Sequence, residues 1–460
     1  MIAKPANRPG KPIISAALSQ HSETRPSALS RLPIPEGTLP VGVGLLVAGI
    51  SSYLFFKVAG DQLGDEGFKP VNALWFATFA LAPGFFLPVE QEMGRALAHR
   101  ESLGQGGRPV VKKLAALALG LMIIVCLLLA IFGRIIAKHY FDDNWVMTVS
   151  LIVAFAAYAP AHLSRGICSG NGRFGGYAVI MGFDGGARIL GCVGLALIGV
   201  KTAGPYGVVI ALAPLTGLAL VYWRKGLATE PGPEATWKEV TPNLGWLLLG
   251  SVFGAALLNA GPIAATLLAT KSEEGRVSQF GYGVLLSRIP LFLFQAVQAA
   301  LLPRLARLAA QGDQTEFRTG FRRLLILVCG VGLLGTVGSL ILGPTILKKV
   351  FDADLSGRTL TLLALGSACY MVAVTAAQAV IALHGHAVVA LGWTLAMVGF
   401  VSATAVVNGD TFQRVEVGLL IGSAVGMITF LVALANKLRH HASIDRGSVL
   451  EAISDIPFEG

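Results

Sequence analysis

The chain has 460 residues, a net charge of +10, 54% hydrophobic residues and only 13% charged ones. A soluble domain carries about 25% charge, so this chain has too few charges to cover a water-facing surface. The composition excludes a soluble enzyme, a disordered protein, a disulfide scaffold and a coiled coil, and leaves an all-α membrane protein of many spans.

Residues 1–37 are polar and rich in Pro, Ser and basic residues, without the short apolar core of a signal peptide. They read as a disordered cytosolic tail. Apolar runs then recur at 39–60, 70–92, 113–136, 145–168, 175–199, 204–223, 242–269, 278–303, 323–347, 358–383, 387–407 and 415–436. Each is long enough to cross a bilayer as a helix, which takes about 20 residues. The runs are continuous rather than alternating, which selects helices over barrel strands. From Lys437 the chain is polar again. This pattern predicts a first lobe over 38–225, a cytosolic linker over 226–240, a second lobe over 241–437 and a second cytosolic tail over 438–460.

If both termini are cytosolic, that face collects about twice as many Lys and Arg residues as the other, in agreement with the positive-inside tendency. The net positive charge therefore belongs to a membrane face, and nucleic acid is not an expected partner. The five cysteines fall in apolar stretches without CxxC or Cys/His spacing and read as small buried hydrophobes.

Two landmarks repeat at similar spacing. Span 2 leaves the membrane through FFLPVEQEMGRALAHR and span 8 through ALLPRLARLAAQ, with Pro88 and Pro303 in register. The turn SGNGRFGGY after span 4 corresponds to the turn ALHGHAVV after span 10, with Gly172 opposite Gly385. The pattern predicts two six-helix lobes. An even number of spans per lobe makes the repeats parallel, around a central cavity.

The strings FFLPVEQEMGRALAHR, GNGRFGGYAVIMGFDGGARILG and LLSRIPLFLFQAVQAALLPRLARL resemble the bacterial polysaccharide-biosynthesis branch of the multidrug/oligosaccharidyl-lipid/polysaccharide (MOP) exporter superfamily. The resemblance covers roughly residues 38–440. It implies a flippase that moves a polyprenyl-(di)phosphate-linked saccharide outward across the bacterial inner membrane by alternating access. It also implies membrane lipids and glycan-assembly enzymes as partners. The superfamily's lipid II flippases typically have two further helices, which this sequence lacks.

Ionisable residues inside a span are costly, about 2.5–3.5 kcal/mol for a central Arg on insertion scales, and are functional candidates for that reason. Arg288 sits near the middle of span 8 with Gln295 and Gln298 on one stripe and no carboxylate in helical reach. A lone cation among amides suits a diphosphate, or else a structural contact to a carbonyl. Asp184 and Arg188 are spaced i,i+4 on span 5, either as a self-neutralising pair or as a cavity pair. Asp184 is the one deep carboxylate in this reading, and so the natural site for any proton coupling. His162 and Arg165, in register with Tyr158 and Ser169 on span 4, read as a headgroup access stripe or as a snorkelling helix end. Glu90 and Arg95 close span 2 as gate residues or solvated charges. Asn259 in span 7 reads as a cavity residue or as interhelical glue. Pro290, two residues after Arg288, predicts a hinge in span 8.

No catalytic residues, cofactor, metal or nucleotide are expected. GQGGRPVVKK lacks the Gly-Lys-Ser/Thr ending of a phosphate loop, HExxH and GxSxG are absent, and His384 and His386 have no third ligand in sequence. Three alternatives remain open: a cation-coupled multidrug antiporter of the same superfamily, a membrane-embedded glycosyltransferase, and a non-transporting scaffold for a glycan synthase.

Overall fold

A computed structural model describes residues 38–241, 244–291, 294, 314–383 and 385–454. The expected tail at 1–37, the candidates Gln295 and Gln298, and Pro303 and His384 lie outside the described residues. The described residues form the helices α1 (Thr38–Ser102), α2 (Arg108–Ile131), α3 (Gly133–Tyr140), α4 (Trp145–Gly170), α5 (Phe174–Leu197), α6 (Ala203–Trp223), α7 (Trp237–Val240), α8 (Leu244–Leu268), α9 (Glu274–Ser287), α10 (Gln314–Ile341), α11 (Gly343–Phe351), α12 (Gly357–Ala382), α13 (His386–Val406) and α14 (Thr411–Ser454).

Among the described residues, ten helices have the length and apolar character to cross a membrane. Helix α1 is one of the ten and makes two spans, which gives eleven. It breaks at Gly64 (φ 68°, ψ 171°), a conformation that only glycine adopts without strain. Asp61, Asp65, Glu66 and Lys69 surround that break, so the charges of the first hairpin sit together at one end of the bundle. With α9 added, the spans are the twelve that the hydropathy pattern predicts. We call the end carrying Thr38 and Arg439 the terminal face and the end carrying Gly64 the distal face.

The repeat extends to details that hydropathy misses. Helix α2 is followed by the short α3, starting at Gly133, and α10 by the short α11, starting at Gly343. Each short helix ends in left-handed aspartates, Asp142 and Asp143 in one case and Asp352 in the other. Capping residues follow: the Asn144 side chain accepts from the Met147 N–H, and the Ser356 side chain from the Thr359 N–H.

The helices before and after α7 meet along the second limb of α1. At the distal face the Ser278 hydroxyl donates to the Asp65 carbonyl and the Gln279 amide to Asp65 Oδ2 at 2.8 Å. Lys69 lies 2.9 Å from Asp142 and 3.5 Å from Glu274. Beneath these contacts Tyr282 stacks on Phe68 with ring centroids 5.4 Å apart, inside a cluster containing Phe55, Phe56, Trp75 and Phe76. Asn72 is fully buried in this seam, its amide opposite Gly281, and neither amide atom has a hydrogen-bond partner. Midway, Asn259 Nδ2 donates to the Phe79 carbonyl at 3.1 Å and the Ser251 hydroxyl to the Pro83 carbonyl at 3.1 Å.

At the terminal face the segment after α6 is fastened to the end of α1. Arg100, 2% exposed, forks onto Glu239 at 2.7 and 3.1 Å and also donates to the Gly106 and Pro233 carbonyls. Glu239 closes a capping box with Thr236. The Gly106 and Gly232 backbones touch closely enough that a Cβ on Gly232 would lie 2.1 Å from the Gly106 carbonyl.

Candidate functional site

The polar residues inside the spans gather in two places. The first is a column between α1, α4 and α5. Small residues let these helices approach: a Cβ on Gly166 would lie 2.7 Å from the Glu90 carbonyl, and one on Gly170 2.9 Å from the Gly94 carbonyl. This four-residue spacing of glycines is the usual device for close contact between helices in lipid. It places the α4 face carrying His162 and Arg165 directly against Glu90.

Glu90 is 5% exposed and accepts from four groups: His162 Nδ1 at 2.8 Å, Arg165 Nε at 3.0 Å, Arg165 Nη2 at 2.8 Å and the Tyr177 hydroxyl at 2.9 Å. Neither a snorkelling end nor a solvated charge describes this arrangement. His162 is 3% and Arg165 8% exposed, so the helix-end readings of all three residues are corrected. The reason lies in the glycines, which hydropathy ignores: they open room for a partner that neutralises the arginine inside the protein. Arg95 does not join this group. It pairs with Glu92 and donates to the Glu239 carbonyl at the terminal face.

One to two turns along α4, Tyr158 donates to Asp184 Oδ2 at 3.1 Å and accepts from Arg188 Nη2 at 3.2 Å, while Arg188 and Asp184 lie 2.6 Å apart. The Arg188 guanidinium lies against the adjacent rings of Trp75 and Phe79, 4.9 and 5.2 Å from their centres. These cation–π contacts suit a delocalised, weakly hydrated cation. In both layers of the column a carboxylate and an arginine cancel in place.

The second place is Arg288, 8% exposed, at the C-terminal end of α9. Pro290 explains the break there. Proline lacks the N–H that would continue the ladder and collides with the preceding turn. The Arg288 N–H closes the last turn on the Leu285 carbonyl at 3.2 Å, and the same carbonyl also accepts from the Tyr53 hydroxyl of α1 at 2.9 Å. Pro290 itself packs on Gly335. Arg288 Nη1 donates to Asn259 Oδ1 at 3.2 Å, Nη2 donates to the Leu258 carbonyl, and the guanidinium lies 5.3 Å from the centre of the Phe76 ring. Its hydrogen-bonding partners are neutral, and no ion pair to it is found among the described residues. Asn259 thus bridges Arg288 to the α1 backbone at Phe79. Beside Arg288 is a cavity of about 20 Å³ lined by Leu257, Leu258, Ser287, Tyr370, Leu419 and Ser423. That is room for about one water, so a headgroup does not fit in the state seen.

The chain's resemblances to known proteins agree with this architecture. A family model described as the lipid II flippase MurJ matches residues 205–358, a minority of the chain running from α6 to the start of α12. A crystal structure of MATE in complex with MaL6 superposes with a TM-score of 0.67 at 13% identity, covering 89% of this chain and 97% of its own. A MOP superfamily transporter from Pyrococcus furiosus, described as having a binding pocket of reverse polarity, superposes with a TM-score of 0.65 at 14% identity, covering 90% and 96%. No curated protein sequence matches the chain. The protein has the fold of the MOP exporters.

On this MOP fold the candidates Glu90, His162 and Arg165 form one cluster, Asp184 and Arg188 a second beside it, and Arg288 with Asn259 a third on the seam. The sequence reading missed Tyr177, which donates to Glu90, Tyr53, which donates to the Leu285 carbonyl, and Tyr370, which lines the cavity beside Arg288. Nothing in the local sequence distinguishes them from other span tyrosines. It also missed that Asp184 is not the only deep carboxylate. Glu90 at 5% and Glu416 at 1% exposure are as buried. Both lie near the ends of apolar runs, where a charge normally faces water.

Proposed function

We propose that this protein moves an anionic, lipid-linked saccharide across the bacterial inner membrane, with the headgroup (di)phosphate neutralised by Arg288. The observation that carries this reading is Arg288 itself: a buried arginine on the seam between the helix bundles, bonded to a neutral amide and a carbonyl. A permanently charged guanidinium without an anion is costly at this depth. A phosphate oxygen would complete its shell with short, charge-assisted bonds. The partial match to a lipid II flippase family model supports a lipid-linked substrate. The lobes proposed here are 38–225 and 241–437, joined by the strap at 226–240, with both termini in the cytosol. Alternating access would separate the distal contacts of Asp65 and Lys69 and widen the small cavity beside Arg288.

Native mass spectrometry of protein purified from its own membranes tests this reading. A polyprenyl-diphosphate glycan should ride with the wild type and be lost from Arg288→Ala. Wild-type protein carrying ordinary phospholipids alone would refute it. A second reading, a multidrug antiporter, draws support from the MATE superpositions, which cover nearly the whole chain. Against it stand the lone buried cation on the seam and the pairing of both carboxylates in the α1–α4–α5 column with arginines.

A further inference from the structure

Buried carboxylates in this protein fall into two kinds. Glu90 has Arg165 at 2.8 Å and Asp184 has Arg188 at 2.6 Å, so each stays ionised against a fixed cation. Glu416, on the second turn of α14, is 1% exposed, and neither of its oxygens has a hydrogen-bond partner. Arg358 is 3.8 Å away, but its side chain is 63% exposed and its charge is largely spent on water. The Thr359 hydroxyl lies beside Glu416 as a weak donor and also contacts the Ser356 hydroxyl at 3.0 Å. Other charges at this end include Arg414, which donates to the Thr404 carbonyl at 3.0 Å, and Asp410, Arg276 and Glu273. Asp410 and Arg276 lie 3.4 Å from each other, and Glu273 accepts from the Thr411 hydroxyl at 3.2 Å.

A buried carboxylate whose neighbours are one shared hydroxyl and one solvent-exposed arginine neutralises more readily than one held against a buried cation. A metal ion would need several oxygen ligands, and no cluster of three acidic, His or Cys side chains exists among the described residues. A proton needs only the one carboxylate. We propose that Glu416 is a proton-binding site of the second helix bundle, reached from the distal face past Arg358 and Asp410, and that its protonation is linked to the cavity at Arg288.

The link runs along one face of α14. Leu419 and Ser423, three and seven residues after Glu416, both line the cavity beside Arg288. At 1.5 Å per residue, Ser423 is about 10 Å from Glu416 along the helix axis. Leu419 also packs against Gly261 of α8, one turn from Leu257 and Leu258 at the cavity wall. Taking up a proton converts the carboxylate to a neutral acid that stays inside. Releasing it leaves a negative charge that is drawn toward Arg358 at the mouth, and α14 moves with it. The site is independent of substrate identity, although its use as a coupling site rests on the transport reading above.

The test is modification of purified wild-type protein with dicyclohexylcarbodiimide, which reacts with protonated carboxyl groups in apolar surroundings, mapped by peptide mass spectrometry. The expected result is labelling of Glu416 with Glu90 and Asp184 unlabelled, falling about tenfold per pH unit above the midpoint as the acid form is depleted. Labelling at Asp184 or Glu90 with none at Glu416 would overturn the proposal. So would labelling of Glu416 that does not change with pH. A second measurement reads the link: the thiol reactivity of Ser423→Cys should depend on pH in an otherwise wild-type chain and not in Glu416→Gln. Equal pH dependence in both would break it. No glycan enters either experiment, so loss of the flippase reading leaves the outcome interpretable.

Discussion

Replacing Glu90 by Gln should be among the most destabilising conservative changes in the protein. The side chains of Glu90 and Arg165 are 6% and 9% exposed, and their contacts at 3.0 and 2.8 Å are charge-assisted. Removing one member of a buried ion pair costs about 3–5 kcal/mol, because the remaining charge is left without compensation. Glutamine keeps one oxygen to accept from Arg165, which places the expected loss near the lower end, about 3 kcal/mol. The Tyr177 hydroxyl and His162 lose a charged acceptor in the same step. Reversible unfolding in mixed detergent micelles, followed by tryptophan fluorescence, measures the loss. The double variant Glu90→Gln with Arg165→Met separates charge from shape. It should recover at least half of the single-variant cost, since the stranded cation is gone. A single variant within about 0.5 kcal/mol of wild type, the range of ordinary surface substitutions, would refute the claim that this carboxylate holds Arg165 in the bundle. A double variant worse than the sum of its parts would instead assign the column to packing.

The distal seam should respond in the opposite sense. Asn72→Leu removes two buried amide atoms that lack partners, so the closed seam should gain about 1–2 kcal/mol; transport assayed in vesicles should slow as the closed state is over-favoured. Gly281→Ala would set a Cβ 2.1 Å from Asn72 Oδ1, and a cysteine at Ser278 in that background should label faster from the distal side. Arg100→Ala should free the strap, read as faster limited proteolysis between residues 226 and 236 with unchanged helix content. The same strap should loosen in acid. The Arg100 hydrogen bond, and next its charge, hold Glu239 below the usual glutamate range. A lowered folded-state value means that the contribution is present above the unfolded value of about 4.3 and is lost as pH falls through the lower folded value. Proteolysis of the strap should therefore rise only in strong acid, and an increase near pH 7 would contradict it.

Most of the fold was legible because lipid imposes a simple rule: a spanning segment must be apolar and must satisfy its own backbone. The apolar runs and the first-hairpin turn follow from that rule directly, and the helix break before Pro290 follows from the proline. The partners of the polar residues did not. Arg288 could be seen as unpaired along its own helix, but its bonds run to Asn259 and the Leu258 carbonyl on α8, and cross-helix neighbours leave no mark in a periodicity. The solvated alternative for Glu90 stayed open for the same reason: whether a charge at a span end faces water or an arginine depends on Gly166 and Gly170 of another helix. The Asp184–Arg188 pair was legible because its spacing is local. The short helices α3 and α11 were hidden inside the polar edges of longer runs.

The pairing within the α1–α4–α5 column has an electrical consequence. A body that moves charge through the membrane field exchanges about 2.3 kcal/mol per elementary charge per 100 mV. Glu90 with Arg165 and Asp184 with Arg188 sum to nothing, so that column can tilt in the field without doing electrical work. The voltage dependence of a transport cycle would then be set by Arg288, by whatever occupies it and by the protonation of Glu416. With Glu416 protonated, an empty carrier should return with the positive charge of Arg288, and a carrier loaded with a monoanion should cross electrically silent.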